Sequence, residues 1–468
     1  MSDISICLFR RDLRLADNPA LIAAAKSGSV IPVYLHDEEE AENWTMGSAS
    51  KFWLHHSLHA LNKSLDGHLV IADDLRKLIK ETKATRVFWN RRYEPLLAAK
   101  DKKLQEELEA DGITVETFQA NLLWEPETIV KKDGTPYKVY TPFYRKGCLK
   151  AKEPRTPHRK PSDLKFKHAS SLSIEDLKLL PKKPRWDKKM EEYWQPGEDG
   201  AHKLLQKFLR KGFKDYKEGR NFPDREVLSR LSPHTHFGEI SPNHIWHAAQ
   251  RAGLEHGNEK DLDTFLSELG WREFSYYLLH HFPALPDKPW TSKFSKMKWS
   301  SSRKNLTAWQ KGMTGYPIVD AGMRELWETG YMHNRIRMVT ASFLIKHLGI
   351  NWVTGEEWFW DCLVDCDLAV NAFNWQWVAG CGADASPFFR VFNPVLQGEK
   401  FDGNGNYVRR WVPEIASLPD KYIHQPWTAP EEVLRKAKVE LGKTYPHPLV
   451  EHSEARERAL ENYKQLKK

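Results

Sequence analysis

Cysteine is scarce and dispersed in this sequence of 468 residues. The five, Cys7, Cys148, Cys362, Cys366 and Cys381, are odd in number and include no CxxC pair. That argues against a disulfide framework, a structural zinc site or an iron–sulfur centre. Long apolar runs are missing as well. No stretch approaches the length that spans a bilayer, and Met1-Ser2-Asp3-Ile4 lacks the basic-then-apolar layout of a secretory signal, so a cytoplasmic protein is expected. No GxGxxG follows the first candidate strand; Phe9-Arg10-Arg11-Asp12-Leu13-Arg14 stands there, which removes the usual dinucleotide fingerprint. No metal site is expected either: among 20 histidines, His55-His56 and His280-His281 are adjacent pairs, and helix neighbours point to different faces. Internal repeats and coiled-coil heptads are absent, so a monomer without an obligate protein partner is the default.

What is present is a basic, tryptophan-rich, globular composition. The net charge of +8 favours a polyanionic partner without proving one. The 19 tryptophans serve packing, yet flavin sites, electron hopping and base stacking use indoles too.

Along the chain, candidate strands Ile4 to Phe9, Val30 to Leu35, Leu69 to Ala72, Arg86 to Trp89 and Ile113 to Phe118 alternate with helical stretches. Those helices lie near Pro19 to Ala25, Lys51 to Leu65, Asp74 to Thr82 and Leu96 to Ala110. The alternation predicts an α/β domain with a doubly wound parallel sheet over residues 1–130. Residues 131–200 are rich in Pro, Lys and Arg and hold no hydrophobic period, so they read as a connector that wraps the surface. Its basic run, Lys150 to Pro161, fits either phosphate contact or plain solvation. From 201 to 468 the periodicity is helical, with Glu268 to Tyr277 the clearest early helix, and an all-α domain is expected.

The helical half centres on two segments, Gly330 to Met338 and Asp365 to Trp377. A helix from Asn334 to Gly349 would place Asn334, Arg337, Met338 and Ala341 on one face and Ile336, Val339 and Phe343 on another. Amide and guanidinium groups among Trp and Phe need partners if buried, and the second segment supplies two carboxylates and two amides. A lined pocket and a structural Arg–Asp bridge both fit.

The chain resembles the photolyase/cryptochrome family over essentially its whole length. The marks are Phe9-Arg10-Arg11-Asp12-Leu13-Arg14-Leu15-Ala16-Asp17-Asn18, Leu228-Ser229-Arg230-Leu231-Ser232-Pro233, Trp271-Arg272-Glu273-Phe274, Thr314-Gly315-Tyr316-Pro317-Ile318-Val319-Asp320, the two central segments and Phe392-Asn393-Pro394. The resemblance implies one FAD per chain, held by Tyr216, Ser229, Ser232, Asn334, Arg337, Asp365, Asp367 and Asn371. Arg337 and Asp365 would form an ion pair beside the ring, Asp367 would stand at its polar edge, and Asn371 would face N5. Plant-type photoreceptors of the family tend to carry an acid at the last position, so Asn371 leans toward an enzyme. Leu228 stands where relatives often have Thr, which puts one side-chain phosphate contact in question, with backbone donors as the substitute. Trp375, Trp352 and Trp299 match the family's electron chain from flavin to surface.

The implied activity is a carbon–carbon lyase: light-driven repair of cyclobutane pyrimidine dimers in UV-damaged DNA, by electron transfer from excited reduced FAD to a flipped-out lesion. Glu268 and Asn371 would serve catalysis; Arg220, Glu268, Trp271, Asn334, Arg335, Met338 and Trp377 would bind lesion and DNA. Relatives that repair the (6-4) photoproduct place histidines where Asn334 and Met338 stand, so the dimer is the expected lesion. The antenna expected is methenyltetrahydrofolate, with a deazaflavin or no antenna as alternatives. The best-known folate site is not reproduced, since Trp44 and Leu96-Leu97 stand at its positions. The loop Asp37-Glu38-Glu39-Glu40 and the segment through Trp44 and Lys51 resemble the plant-like bacterial branch. The competing function is a cryptochrome-type blue-light photoreceptor.

Overall fold

The computed structural model of the chain describes residues 3–37, 44–385 and 389–466. The acidic loop residues Glu38, Glu39 and Glu40 lie outside them. The chain divides into two compact units that are not continuous in sequence. The first comprises Met1–Lys214, Ser229–Pro283 and Val364–Ala369; the second comprises Asp215–Leu228, Ala284–Leu363 and Val370–Lys468.

The first unit is built on a parallel sheet. Its strands are β1 (Ile4–Phe9), β2 (Ser29–Leu35), β3 (Val70–Ala72), β4 (Arg86–Asn90) and β5 (Thr114–Phe118), ordered β3-β2-β1-β4-β5. The intervening helices are α1 (Pro19–Ser27), α2 (Ser48–Ser64), α3 (Leu75–Thr82) and α4 (Pro95–Ala110). Central β1 pairs in register with both neighbours, Ile6 opposite Ile31 and opposite Val87. Strands covered on both faces need continuous apolar runs, which is why Ile6, Cys7, Leu8 and Phe9 are all buried. The predicted strands and helices agree with these within a few residues.

The segment after β1, where a glycine-rich loop is absent, is instead a polar knot. The buried Arg14 guanidinium donates to the carbonyls of Asp17, Ala120 and Gly238. Asp12 accepts from the backbone N–H of Arg10 and the amide of Asn90. Gly238 has φ +65 and lies so close to the Arg11 carbonyl that any Cβ would collide. The Arg-Arg-Asp-Leu-Arg mark is therefore a structural joint. The connector returns to the sheet: Val30 N–H donates to the Lys165 carbonyl, and Leu172 N–H to that of Ile71. It also contributes short helical turns, such as Glu175–Leu177. The long helix Glu259–His281 completes this unit's helical part, together with Pro242–His256.

The second unit is helical, with Pro317–Thr329, Asn334–Ser342, Trp352–Cys362 and His452–Gln465 among its elements. The helix predicted to run from Asn334 to Gly349 is α-helical only to Ser342 and widens into a π turn over Phe343–His347. The wide turn is closed by Leu348 N–H on the Phe343 carbonyl and Ile350 N–H on that of Leu344. Its faces follow the sequence pattern, with Ile336, Val339 and Phe343 buried and Asn334 exposed. The helix Leu368–Ala379 begins in the first unit and continues in the second. No helix among the described residues is long and apolar enough to cross a membrane.

Candidate functional site

In the first unit Asp367 is the centre of a buried charged group. It accepts from the Tyr276 hydroxyl, and His236 Nδ1 lies 3.9 Å from it. Burial alone would raise its pKa, but the His236 contact, the Arg272 charge and the Tyr276 hydroxyl outweigh that and hold the carboxyl well below its usual range. Each partner is held in turn. Arg272 donates to the Asn121 carbonyl (2.9 Å) and lies over the Tyr276 ring. His236 meets Arg11 Nη1 at 2.9 Å from Nε2, and burial and that guanidinium lower its pKa, so the imidazole is neutral. Asp367 is thus an anion fixed in place, able to accept from a ligand N–H.

Asp365, two residues earlier, accepts the Ser232 hydroxyl at 2.6 Å. Ser232 heads a short helical turn, and Ser229 Oγ accepts from Leu231 N–H at 3.5 Å, so three expected polar residues converge through the chain between them. Glu268 and Trp271 lie three apart on Glu259–His281, hence on one face. The Trp271 ring stacks on Tyr140, with centroids 3.5 Å apart.

In the second unit Asn371 is buried and donates from Nδ2 to the Glu356 carbonyl at 3.1 Å. The Glu356 side chain is fully buried, and neither carboxyl oxygen has a hydrogen-bond partner among the described residues. Burial pushes its pKa well up, with Asp287 and Glu357 adding to the effect, so the group is a neutral acid. Trp375 (2% exposed) packs edge-on to Phe359 and Trp309, and its ring tip presses on Gly355. Trp352 (3% exposed) opens the helix Trp352–Cys362, and Trp299 is half-buried next to Ser300, whose N–H donates to the Gly349 carbonyl. Two of the three expected tryptophans, Trp375 and Trp352, are thus core residues, and Trp299 is half-buried.

The same unit gathers cations. Arg220, Arg335 and Arg337 surround buried His333; burial and these charges push its pKa down to about 3. Arg335 donates to Asn221 Oδ1 (2.6 Å) and lies over Phe401, while Met338 Sδ stands 3.8 Å from its Nη1. Arg337 donates to the Met332 carbonyl, Arg220 lies over the buried Tyr216 ring, and Trp377 donates from Nε1 to the Asp384 carbonyl. Arg337 and Asp365, expected as a pair, belong one to each unit.

Sequence reading overlooked Arg272, Tyr276, His236, Glu356 and Trp309. Arg272 sits inside a quoted mark, Trp271-Arg272-Glu273-Phe274, and its neighbour at helical spacing is Tyr276. For Glu356 the only signal was an acid within a Trp-rich helix, and nothing local separates it from exposed Glu357.

Residues 5–162 match the family model described as DNA photolyase, and residues 265–465 match the FAD binding domain of DNA photolyase. A deoxyribodipyrimidine photo-lyase of Agrobacterium fabrum is 52% identical, covering 99% of this chain and 98% of that protein. Cryptochrome-1 of Arabidopsis thaliana is 37% identical over 99% of this chain and 70% of its own length. A bacterial class III photolyase structure from Agrobacterium tumefaciens superposes with a TM-score of 0.96 at 51% identity, covering 100% of this chain and 98% of that one. From the sheet topology, the helical half and these likenesses, the chain belongs to the photolyase/cryptochrome family, as an enzyme of the photolyase type that carries the family's FAD-binding domain.

Proposed function

We propose that this chain repairs cyclobutane pyrimidine dimers in UV-damaged DNA under blue light, as a deoxyribodipyrimidine photo-lyase. The observation that carries this reading is the likeness, along both full lengths, to the Agrobacterium fabrum protein of that name. The donor set supports it: a carboxylate held anionic at Asp367, a buried amide at Asn371 and hydroxyls at Ser229 and Ser232 fit an FAD. FAD, when bound, supplies in its reduced and photoexcited form the electron that opens the dimer, and takes it back.

The remaining work falls to the side chains. The family likeness assigns Tyr216, Ser229 and Ser232 to the phosphates and Arg337 and Asp365 to the ring. Asp367 would accept an N–H from the ring's polar edge, and Asn371, its amide anchored to the Glu356 carbonyl, would face N5. Asn334 serves adenine and lesion. Trp271, Met338 and Trp377 present apolar surface to a flipped-out pyrimidine pair, and Glu268 hydrogen-bonds its edge. Arg220 and Arg335 hold flanking phosphates, which makes binding salt-sensitive. Trp299, Trp352 and Trp375 carry an electron inward. In this reading residues 1–130 form the antenna domain, 131–200 the connector and 201–468 the FAD- and DNA-binding domain, in a cytoplasmic monomer. The antenna in this reading is methenyltetrahydrofolate; extraction of a deazaflavin, or of no second pigment, from purified protein would displace it.

The likeness to a cryptochrome favours one second reading, a photoreceptor. Blue-light repair of an oligonucleotide carrying one thymine cyclobutane dimer, with a dark control and a (6-4) substrate alongside, separates the two. The expected result is light-dependent loss of the dimer alone. Bound, reducible flavin without repair favours the photoreceptor.

A further inference from the structure

Away from the residues above, the first unit gathers two imidazoles and a carboxylate at one point of its surface. His55 and His59 stand four apart on α2, so both side chains rise from one face. Their ring centroids are 4.7 Å apart, edge to face. The connector brings Glu175 to that face, with Oε1 3.2 Å from His59 Nε2. One nitrogen of each histidine and one oxygen of Glu175 all lie within 4.8 Å of one another. We propose that His55, His59 and Glu175 form a site for a divalent transition-metal ion of the Zn2+ class, which fastens the connector to α2.

An ordinary ion pair accounts for His59 and Glu175 but leaves His55 unexplained. His55 is set edge-on between His56 (5.1 Å) and His59. A metal ion accounts for both rings, because it takes one nitrogen from each. Two imidazoles and one carboxylate are a common zinc donor set, with water completing the tetrahedron. Bond lengths of about 2.0–2.2 Å place donor atoms roughly 3.4 Å apart, so closure from the present spacing asks only for rotamer adjustments of partly exposed side chains.

The backbone under Glu175 is already positioned for this. Ile71 N–H donates to Ser171 Oγ (2.9 Å) and Leu172 N–H to the Ile71 carbonyl, which pins the connector to β3. Immediately after, Asp176 accepts from the Ser173 N–H (2.8 Å) and hydroxyl (2.7 Å), closing the turn that presents Glu175. The neighbouring cation Arg185 is neutralised by Asp187, at 2.7 Å from Nη2. His56 points to another face, where its Nε2 lies 3.9 Å from Glu191.

The test is calorimetric titration of the metal-stripped full chain with Zn2+, beside His55→Ala/His59→Ala, Glu175→Gln and His56→Ala variants. One saturable site is expected, weakened about 100-fold or more in the double variant and about 10-fold in Glu175→Gln, with His56→Ala close to the parent. Zn2+ should raise the thermal midpoint of the parent by several degrees and leave that of the double variant unmoved. Cu2+ in the same site should give an electron paramagnetic resonance spectrum with two nitrogen couplings. Since the ligands are partly exposed, metal-free thermal midpoints should match, which guards against misfolding. Absence of saturable binding tighter than about 1 mM, or undiminished binding in the double variant, overturns the proposal.

Discussion

Two buried carboxyl groups, Asp367 in the first unit and Glu356 in the second, meet opposite electrostatic fates. Asp367 has a hydroxyl, an imidazole and a guanidinium around it and stays an anion. Glu356 has no hydrogen-bond partner for either oxygen among the described residues and stays protonated. Burial acts against charge in both places, and only the neighbours decide the outcome. A compensated anion suits a fixed acceptor for a ligand N–H. A neutral acid beside the Asn371 anchor adds no further negative charge there.

The largest expected break of this contrast is Asp367→Asn. It leaves Arg272 and His236 without their anion and should cost about 3–5 kcal/mol, the range for removing one partner of a buried pair. Denaturant unfolding measures the cost, and purified protein should lose its yellow flavin colour. Next is Gly355→Ala. The added Cβ would lie 2.2 Å from the Trp375 ring, so overpacking should cost about 1–3 kcal/mol by thermal unfolding and slow photoreduction of the flavin.

Ser232→Ala removes one hydrogen bond to Asp365 and should cost about 1 kcal/mol, with weakened FAD retention in dialysis. Glu356→Gln is the smallest, because an amide replaces an already neutral acid of the same shape. Near pH 5 its stability should stay within about 0.5 kcal/mol of the parent. A loss as large as that of Asp367→Asn would mean that Glu356 is ionised.

The pH dependence sharpens the same comparison, with opposite signs. Asp367 titrates lower in the folded chain than its unfolded value of about 3.9, so its stabilisation is present above that pH and is lost as pH falls toward the folded pKa. Asp367→Asn should flatten that acid limb. Glu356 titrates higher in the folded chain than its unfolded value of about 4.3, so the folded state keeps a proton that the unfolded state releases, and stability falls as pH rises above it. Glu356→Gln should remove that decline and gain on the parent toward alkaline pH. Unfolding midpoints from pH 3 to 9 for parent and both variants decide the signs.

The α/β half was the more legible in sequence, because strands covered on both faces must be short apolar runs and turns must separate them. The helix after Asn334 was read with the right faces but the wrong end, since hydrophobic spacing is nearly unchanged when a turn widens from i+4 to i+5 bonding. The family resemblance offers Asn371, Asp367 and the tryptophan series as candidates, whereas the approach of Arg272, His236 and Tyr276 to Asp367 is visible only in the structure. They reach Asp367 from segments about 90 to 130 residues away in the chain. The adjacent pair His55-His56 drew attention to divergent faces and hid the pair His55 and His59, and no spacing rule links either to Glu175.

Sequence by itself determined which segments become strands and helices, the family and the residue types offered to a ligand, because these follow from local periodicity and short motifs. Tertiary structure alone decided which carboxyl is an anion and which a neutral acid, that Trp352 and Trp375 are core while Trp299 is half-buried, and that a connector carboxylate meets two imidazoles. Burial and through-space charge depend on residues far apart in the chain, and no local pattern encodes them.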